Sequence, residues 1–246
     1  MDPSRHPAGS VCWLDLGIPD VDAAVAFYGE LLGWTVAPPD PTGYRLAGLP
    51  GGLVAAFGPA EDPGAPYWTV YVGTDDIEAS VRAYTVAGGT VVVPVTAVGE
   101  IGASAVVRDP AGLPMSFWQP GTHLGTYASG EPGTLAGVRL LGADPARTGA
   151  FLAAALDWRM LPDGTVAHAG RTVATWTPHG ADTGAAGGRH SWLVEFAVAD
   201  VPAATARALE LGARPGAPGT DTLLDPAGAH FALTAAPTVA PTTATG

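Results

Sequence analysis

Lysine is absent from this chain: its cations are 11 Arg, set against 23 acidic residues for a net charge of −12. Such a surface repels phosphate backbones and anionic lipid, which excludes nucleic acid and membrane surfaces as partners. Cysteine occurs once, at Cys12, so an internal disulfide and a Cys-rich zinc site are excluded. No apolar run, such as Ala150–Leu156, approaches the roughly 18 residues of a membrane helix. The opening MDPSRHPAGS lacks the apolar segment of a secretion signal, so a cytoplasmic location is expected. Charged residues make up only 14%, but 47% are hydrophobic, which excludes global disorder. The 34 Gly and 24 Pro point to a turn-rich fold of short strands.

An internal repeat organises the chain. Ala26-Phe27-Tyr28-Gly29-Glu30-Leu31-Leu32-Gly33-Trp34 matches the segment from Ala150 to Trp158, at an offset of 124 residues. Trp68/Trp192 and Asp76/Asp200 keep that offset, and Asp109-Pro110-Ala111-Gly112 matches Asp225-Pro226-Ala227-Gly228 at 116. The chain is a tandem duplication. We expect a disordered N-terminus (1–10), a first domain (11–120), a turn-rich linker (121–134), a second domain (135–236) and a disordered tail (237–246).

Each copy is itself double. Alternation over Trp13–Ile18 predicts a strand with Leu14, Leu16 and Ile18 on one face. Pro19-Asp20 then opens a helix, with Asp20 or Asp22 as N-cap and Gly33 as a left-handed stop. Strands are predicted at 44–49 and 53–57. The cycle restarts with a strand at 68–72, a helix from Asp76 to about Ala87, and strands at 91–95, 104–108 and 115–118. The second half repeats it with a strand at 138–141, a helix at 146–156, a strand at 192–198, a helix at 201–211 and a terminal strand at 230–234. The plan is α+β: four β-α-β-β-β units.

The strand ending in Pro19-Asp20, the Ala26-Phe27-Tyr28-x-x-Leu31-Leu32-Gly33-Trp34 helix, Val72-x-x-x-Asp76, Gly88-Gly89 and the Asp109-Pro110-x-Gly112 turn resemble the vicinal oxygen chelate superfamily. That superfamily includes glyoxalase I, bleomycin- and fosfomycin-resistance proteins and extradiol dioxygenases. The opening Cys12-Trp13-Leu14-Asp15-Leu16 resembles its tandem, two-domain subgroup. The resemblance implies paired units curling two eight-stranded mixed sheets into cups, with helices outside and the site inside. It also implies where a metal would bind. The three ligand positions per domain correspond to Trp13, Thr69 and Ser116, then to Gly137, Leu193 and Ala232. No metal and no cofactor is expected from such a set, hydroxyls being marginal donors.

Period-two alternation then assigns what the cups hold. Trp13, Asp15, Thr69, Tyr71, Ser116 and Trp118 face the first cup, a substrate-binding wall suited to a flat aromatic ligand. Arg139, Glu195 and His230 face the second. There His230 is read as general acid or base, Glu195 as its orienting partner and Arg139 as a clamp for a carboxylate or enolate. The competing reading is an Arg139–Glu195 ion pair bracing the floor, with His230 at a wet rim. A one-residue slip of register would move all three to the outer layer.

Other features are read as structural. His168, His179 and His190, spaced by elevens, are expected at the surface. The Gly180–Arg189 loop is either a plain connection or a lid over the second cup. Phe27, Trp34, Phe151 and Trp158 are packing residues, both Asp-Pro turns are turn formers, and Cys12 points into the core. Two functions fit. One is a metal-independent lyase, isomerase or cyclase of bacterial specialised metabolism acting on a carbonyl-containing small molecule. The other is a non-catalytic binding protein that sequesters an aromatic antibiotic or metabolite. A monomer or a homodimer is expected.

Overall fold

Four helix-opening aspartates set the framework. Asp20, Asp76, Asp144 and Asp200 each accept a hydrogen bond from the backbone N–H three residues on, at 2.9–3.0 Å. Each thereby satisfies one of the N–H groups a helix start leaves without a partner. The computed structural model describes residues 6–60, 66–142, 144–178, 191–216 and 219–237. The first unit runs β1 (Val11–Ile18), α1 (Val21–Leu32), β2 (Thr35–Val36), β3 (Arg45–Leu49) and β4 (Gly52–Pro59). The second runs β5 (Tyr67–Gly73), α2 (Ile77–Val86), β6 (Thr90–Val98), β7 (Gly102–Arg108) and β8 (Pro114–Pro120). The third has β9 (Leu135–Gly142), α3 (Pro145–Leu156), β10 (Arg159–Met160), β11 (Thr165–His168) and β12 (Arg171–Pro178). The fourth has β13 (Ser191–Val198), α4 (Val201–Glu210), β14 (Arg214–Pro215), β15 (Thr222–Leu224) and β16 (His230–Ala235).

Units one and two join into an eight-stranded mixed sheet of order β2-β3-β4-β1-β5-β8-β7-β6. Units three and four repeat it as β10-β11-β12-β9-β13-β16-β15-β14. In each sheet the two unit-opening strands pair antiparallel at the centre, Asp15 opposite Thr69 and Leu193 opposite Arg139. The expected α+β plan of two such sheets is the one observed.

The helices pack on the outer faces, as expected, but they are not an outer shell. Tyr28 of α1 touches Phe57 and Trp68 of its own sheet and Phe196 and Phe231 of the other. Tyr84 of α2 meets Phe151 of α3 edge to face at 4.9 Å. One apolar core, including Leu14, Val70, Val194 and Phe231, therefore serves both sheets. Trp34 and Trp158 are buried in it, their indoles donating to the carbonyls of Gly133 and Gly9. The two inner faces are left outside this shared core. Among the described residues no helix is long and apolar enough to cross a membrane.

Residues 6–10, expected to be disordered, are pinned instead. Gly9 N–H donates to the Gly73 carbonyl, and the His6 ring hydrogen-bonds the Thr126 carbonyl. The turn-rich stretch after β8 folds back over the first sheet, the backbone N–H groups of Thr126 and Tyr127 donating to the carbonyls of Cys12 and Leu53. Residues 238–246, His179, His190 and the Gly180–Arg189 loop lie outside the described residues.

Candidate functional site

In the first cup the pleat turns Trp13, Asp15, Thr69, Tyr71, Ser116 and Trp118 to the inner face, as the alternation predicts. Leu14, Leu16, Val70, Val72, Met115 and Phe117 go to the shared core. Trp13, Tyr71 and Ser116 lie side by side on three adjacent strands. Trp13, Trp118 and Ala56 form a separate apolar cluster with Tyr44, Leu53 and Tyr71 packed against it. Cys12 joins this cluster rather than the main core, because a β-bulge between Val11 and Trp13 shifts the register. Burial pushes its thiol up to about 12, the wrong direction for a nucleophile.

Asp15 is the polar centre of this cup. Its carboxylate accepts from the Tyr71 hydroxyl at 2.6 Å and from the Tyr44 hydroxyl at 3.2 Å. Burial raises its pKa above the usual carboxylate range, while hydrogen bonds from Tyr71, Thr69 and Tyr44 pull it back down. Both phenols titrate above their ordinary value, through burial first and the Asp15 charge second. His123, from the stretch after β8, closes the cup. Its ring meets Trp13 edge-on at 4.4 Å, and its carbonyl accepts from the Trp118 indole at 2.9 Å. Burial lowers the His123 pKa.

The second cup has a different character. Leu141, Leu193 and Ala232 form an apolar floor. Arg139 and Glu195 stand on it as an ion pair, and Arg139 also reaches Asp221 through both terminal nitrogens at 2.8 and 2.9 Å. Asp221 raises the Arg139 pKa, and Arg139 in turn holds the Asp221 carboxyl below its usual range. His230 opens β16 on the same face, one inward position before Ala232, which pairs with Glu195. Arg139 is thus already committed to two carboxylates. It can clamp a ligand anion only if Asp221, 54% exposed, swings aside.

All six positions that the superfamily resemblance marks for metal ligands lie on inner faces. An indole, a glycine, a leucine and an alanine offer a cation nothing, and Thr69 and Ser116 add only neutral hydroxyls. Among the described residues no three His, Cys, Asp or Glu side chains converge. These residues do not fit a divalent metal. His168 bonds the Asp157 carbonyl at 3.1 Å, outside both cups.

Three site residues escaped the sequence reading. Tyr44 precedes a strand whose phase is broken by a bulge between Ala47 and Gly48. Asp221 precedes the three-residue β15, too short to show periodicity. His123 sits in an irregular stretch, where no period assigns a face.

Residues 12–117 and 138–234 each match the family described as Glyoxalase-like domain. The anthracycline biosynthesis protein DnrV of Streptomyces peucetius is 36% identical, with 94% of each chain covered. DauV, another anthracycline biosynthesis protein, from Streptomyces sp. (strain C5), is 34% identical over the same shares. Among solved structures, homoprotocatechuate 2,3-dioxygenase from Arthrobacter globiformis superposes with a TM-score of 0.63 at 20% identity, covering 94% of this chain and 82% of that one. The Mn(II)-bound glyoxalase from Novosphingobium aromaticivorans gives 0.58 at 14%, covering 92% and 82%. This chain is a tandem member of the glyoxalase-like family, within the vicinal oxygen chelate superfamily.

Proposed function

We propose that this chain is a metal-independent enzyme of lyase, isomerase or cyclase type, acting in specialised metabolism on a carbonyl-bearing polycyclic aromatic compound. Two relatives are named for anthracycline biosynthesis, which supports this substrate class. The observation that carries the reading is the Arg139–Glu195–Asp221 cluster on an apolar floor, on the face that also carries His230. Charged groups on such a floor are costly to keep without use.

In this reading His230 takes a proton from the carbon beside a substrate carbonyl, and the electron pair moves to the carbonyl oxygen as an enolate. Glu195 orients the charged imidazole. Arg139, released by Asp221, meets the enolate oxygen. Returning the proton to a different carbon gives an isomer; expelling a group from the neighbouring carbon gives an elimination.

The test is solvent-deuterium exchange into a panel of polycyclic aromatic ketones, read by mass spectrometry. The protein should accelerate exchange beside the carbonyl, and His230→Ala should lose that acceleration by at least about 100-fold while ligand affinity stays within about tenfold. Exchange by His230→Ala at the parent rate overturns the catalytic role.

A second reading, sequestration, is favoured by the aromatic first cup with Trp13 and Trp118 as walls. There Trp118→Ala weakens binding of the same ketones, and no product forms with any of them.

A further inference from the structure

The aromatic wall of the first cup is already covered. Trp13 and Trp118 are only 3% and 6% exposed, too little for a ligand ring to lie against them as they stand. The imidazole of His123 lies on both. Its ring meets Trp13 edge to face at 4.4 Å and Trp118 at 5.6 Å. An imidazole is a costly cover for two indoles, because both of its nitrogens call for hydrogen-bond partners. His123 Nε2 is buried and has none. Ser116, 0% exposed on the same inner face, is in the same position: its Oγ approaches only the Tyr71 phenol and forms no hydrogen bond. Native structures leave few buried polar atoms unpaired, and two of the six such side-chain atoms among the described residues belong to this one cup. The backbone beside the ring is fixed. The His123 N–H donates to the Ile101 carbonyl at 3.1 Å, and the His123 carbonyl accepts from the Trp118 indole at 2.9 Å. The imidazole can therefore turn about its Cα–Cβ bond while the chain stays in place.

We propose that His123 is a displaceable plug: its imidazole holds the place of a ligand ring against Trp13 and Trp118, and a flat, neutral aromatic compound bearing a hydroxyl or carbonyl oxygen takes that place when the imidazole turns outward. The proposal rests on the reading of the first cup as a binding site for aromatic compounds and adds what a ligand must displace to enter it. Without a ligand the ring stays inward because it keeps two indoles from water. With one, the edge contacts it gives up are replaced by those of a larger ring. Its Nε2 meanwhile regains water, and an unpaired buried nitrogen is lost from the cup. Ser116 Oγ, able to donate or accept, is the partner for the ligand's oxygen. Asp15, with the Tyr71 and Tyr44 hydroxyls already committed to it, is the acid on this face, so a neutral ring is preferred to an anion.

The experiment titrates acridone, a flat neutral ketone, into the full chain, read by calorimetry and by tryptophan quenching. Trp118→Ala should weaken binding by at least about tenfold, which assigns the titration to this cup. His123→Ala should bind about tenfold more tightly than the parent, because nothing has to leave. His123→Phe puts an apolar ring in the same place, with no nitrogen to gain from water, and should bind about tenfold more weakly. A side chain that only braced the cup would move both variants in the same direction. Ligand-free His123→Ala should also show red-shifted tryptophan emission with an unchanged circular dichroism spectrum. Binding by His123→Ala at the parent affinity or below, with Trp118→Ala still weakened, overturns the plug and leaves the cup as the site. Binding by His123→Phe as tight as that by His123→Ala overturns it too. Unchanged affinity in Trp118→Ala removes the first-cup reading and the plug with it.

Discussion

The Tyr28 hydroxyl donates to Asp225 Oδ2 at 3.1 Å, tying α1 of the first repeat to the final Asp-Pro turn of the second. Asp225 is 1% exposed, and its other oxygen accepts the backbone N–H groups of Ala227, Gly228 and Ala229. The bond thus couples the order of one turn to the seating of the other repeat's helix. Tyr28→Phe keeps the ring packing and removes only the donor, leaving a buried carboxyl oxygen without its partner. It should lower stability by about 1–3 kcal/mol, with the two halves still unfolding in one transition. Denaturant melts followed by fluorescence check this; an unchanged midpoint would show that the bond contributes nothing.

Asp15 gives a pH signature of opposite sign to ordinary acid denaturation. Its folded-state pKa is raised, chiefly by burial. Its contribution to stability is therefore fully present below the unfolded value near 3.8 and is lost as pH rises through the higher folded value. Asp15→Asn cannot ionise and escapes that loss. Relative to the parent, the variant should gain stability between pH 4 and pH 8. Urea melts at the two pH values check the difference, and a gap that shrinks or reverses would refute the assignment.

His123 titrates the other way. Burial lowers its pKa from 6.5, so the neutral ring is the form that packs against Trp13. Its stabilising contribution is present above the unfolded value and is lost as pH falls through the lower folded one. Tryptophan emission should change with a midpoint below 6.5, because a charged imidazole then sits against two indoles. His123→Gln should abolish that step. A midpoint at or above 6.5 in the parent would mean that the ring is not held in the cup.

Strand phase was the part of this molecule most legible in its sequence. The alternation Trp13-Leu14-Asp15-Leu16 separated Leu14 and Leu16, which meet the shared core, from Trp13 and Asp15, which line the cup. The helix start was narrowed to Asp20 or Asp22 and its end to Gly33 by local capping chemistry, and Asp20 is the residue that caps. Long-range consequences were not legible. Nothing in α1 announces that Tyr28 would touch both sheets, since periodicity reports that a face is buried and not against what. Likewise Arg139 and Glu195 were placed in one cup by phase, but Asp221 arrives from a turn whose path depends on the closed sheet. The same holds for His123, which reaches the first cup only because the chain after β8 doubles back.

The duplication also sets up a comparison at the two helix ends. Gly33 closes α1 with φ 75°, and Asp157, its counterpart 124 residues on, closes α3 with φ 53°. Both are left-handed, a conformation glycine adopts without penalty and other residues adopt at a cost. Part of that cost at Asp157 is offset locally, since the His168 imidazole lies near its carboxylate and bonds its carbonyl. Asp157→Gly relieves the backbone but adds freedom to the unfolded chain, and the net gain should be about 0.5–1 kcal/mol. Gly33→Ala carries no such offset and should lose about 1 kcal/mol. Thermal melts of the two variants should therefore move in opposite directions from the parent. If Asp157→Gly melts lower, the His168 contact outweighs the strain, and His168→Ala should then cost at least as much as Asp157→Gly.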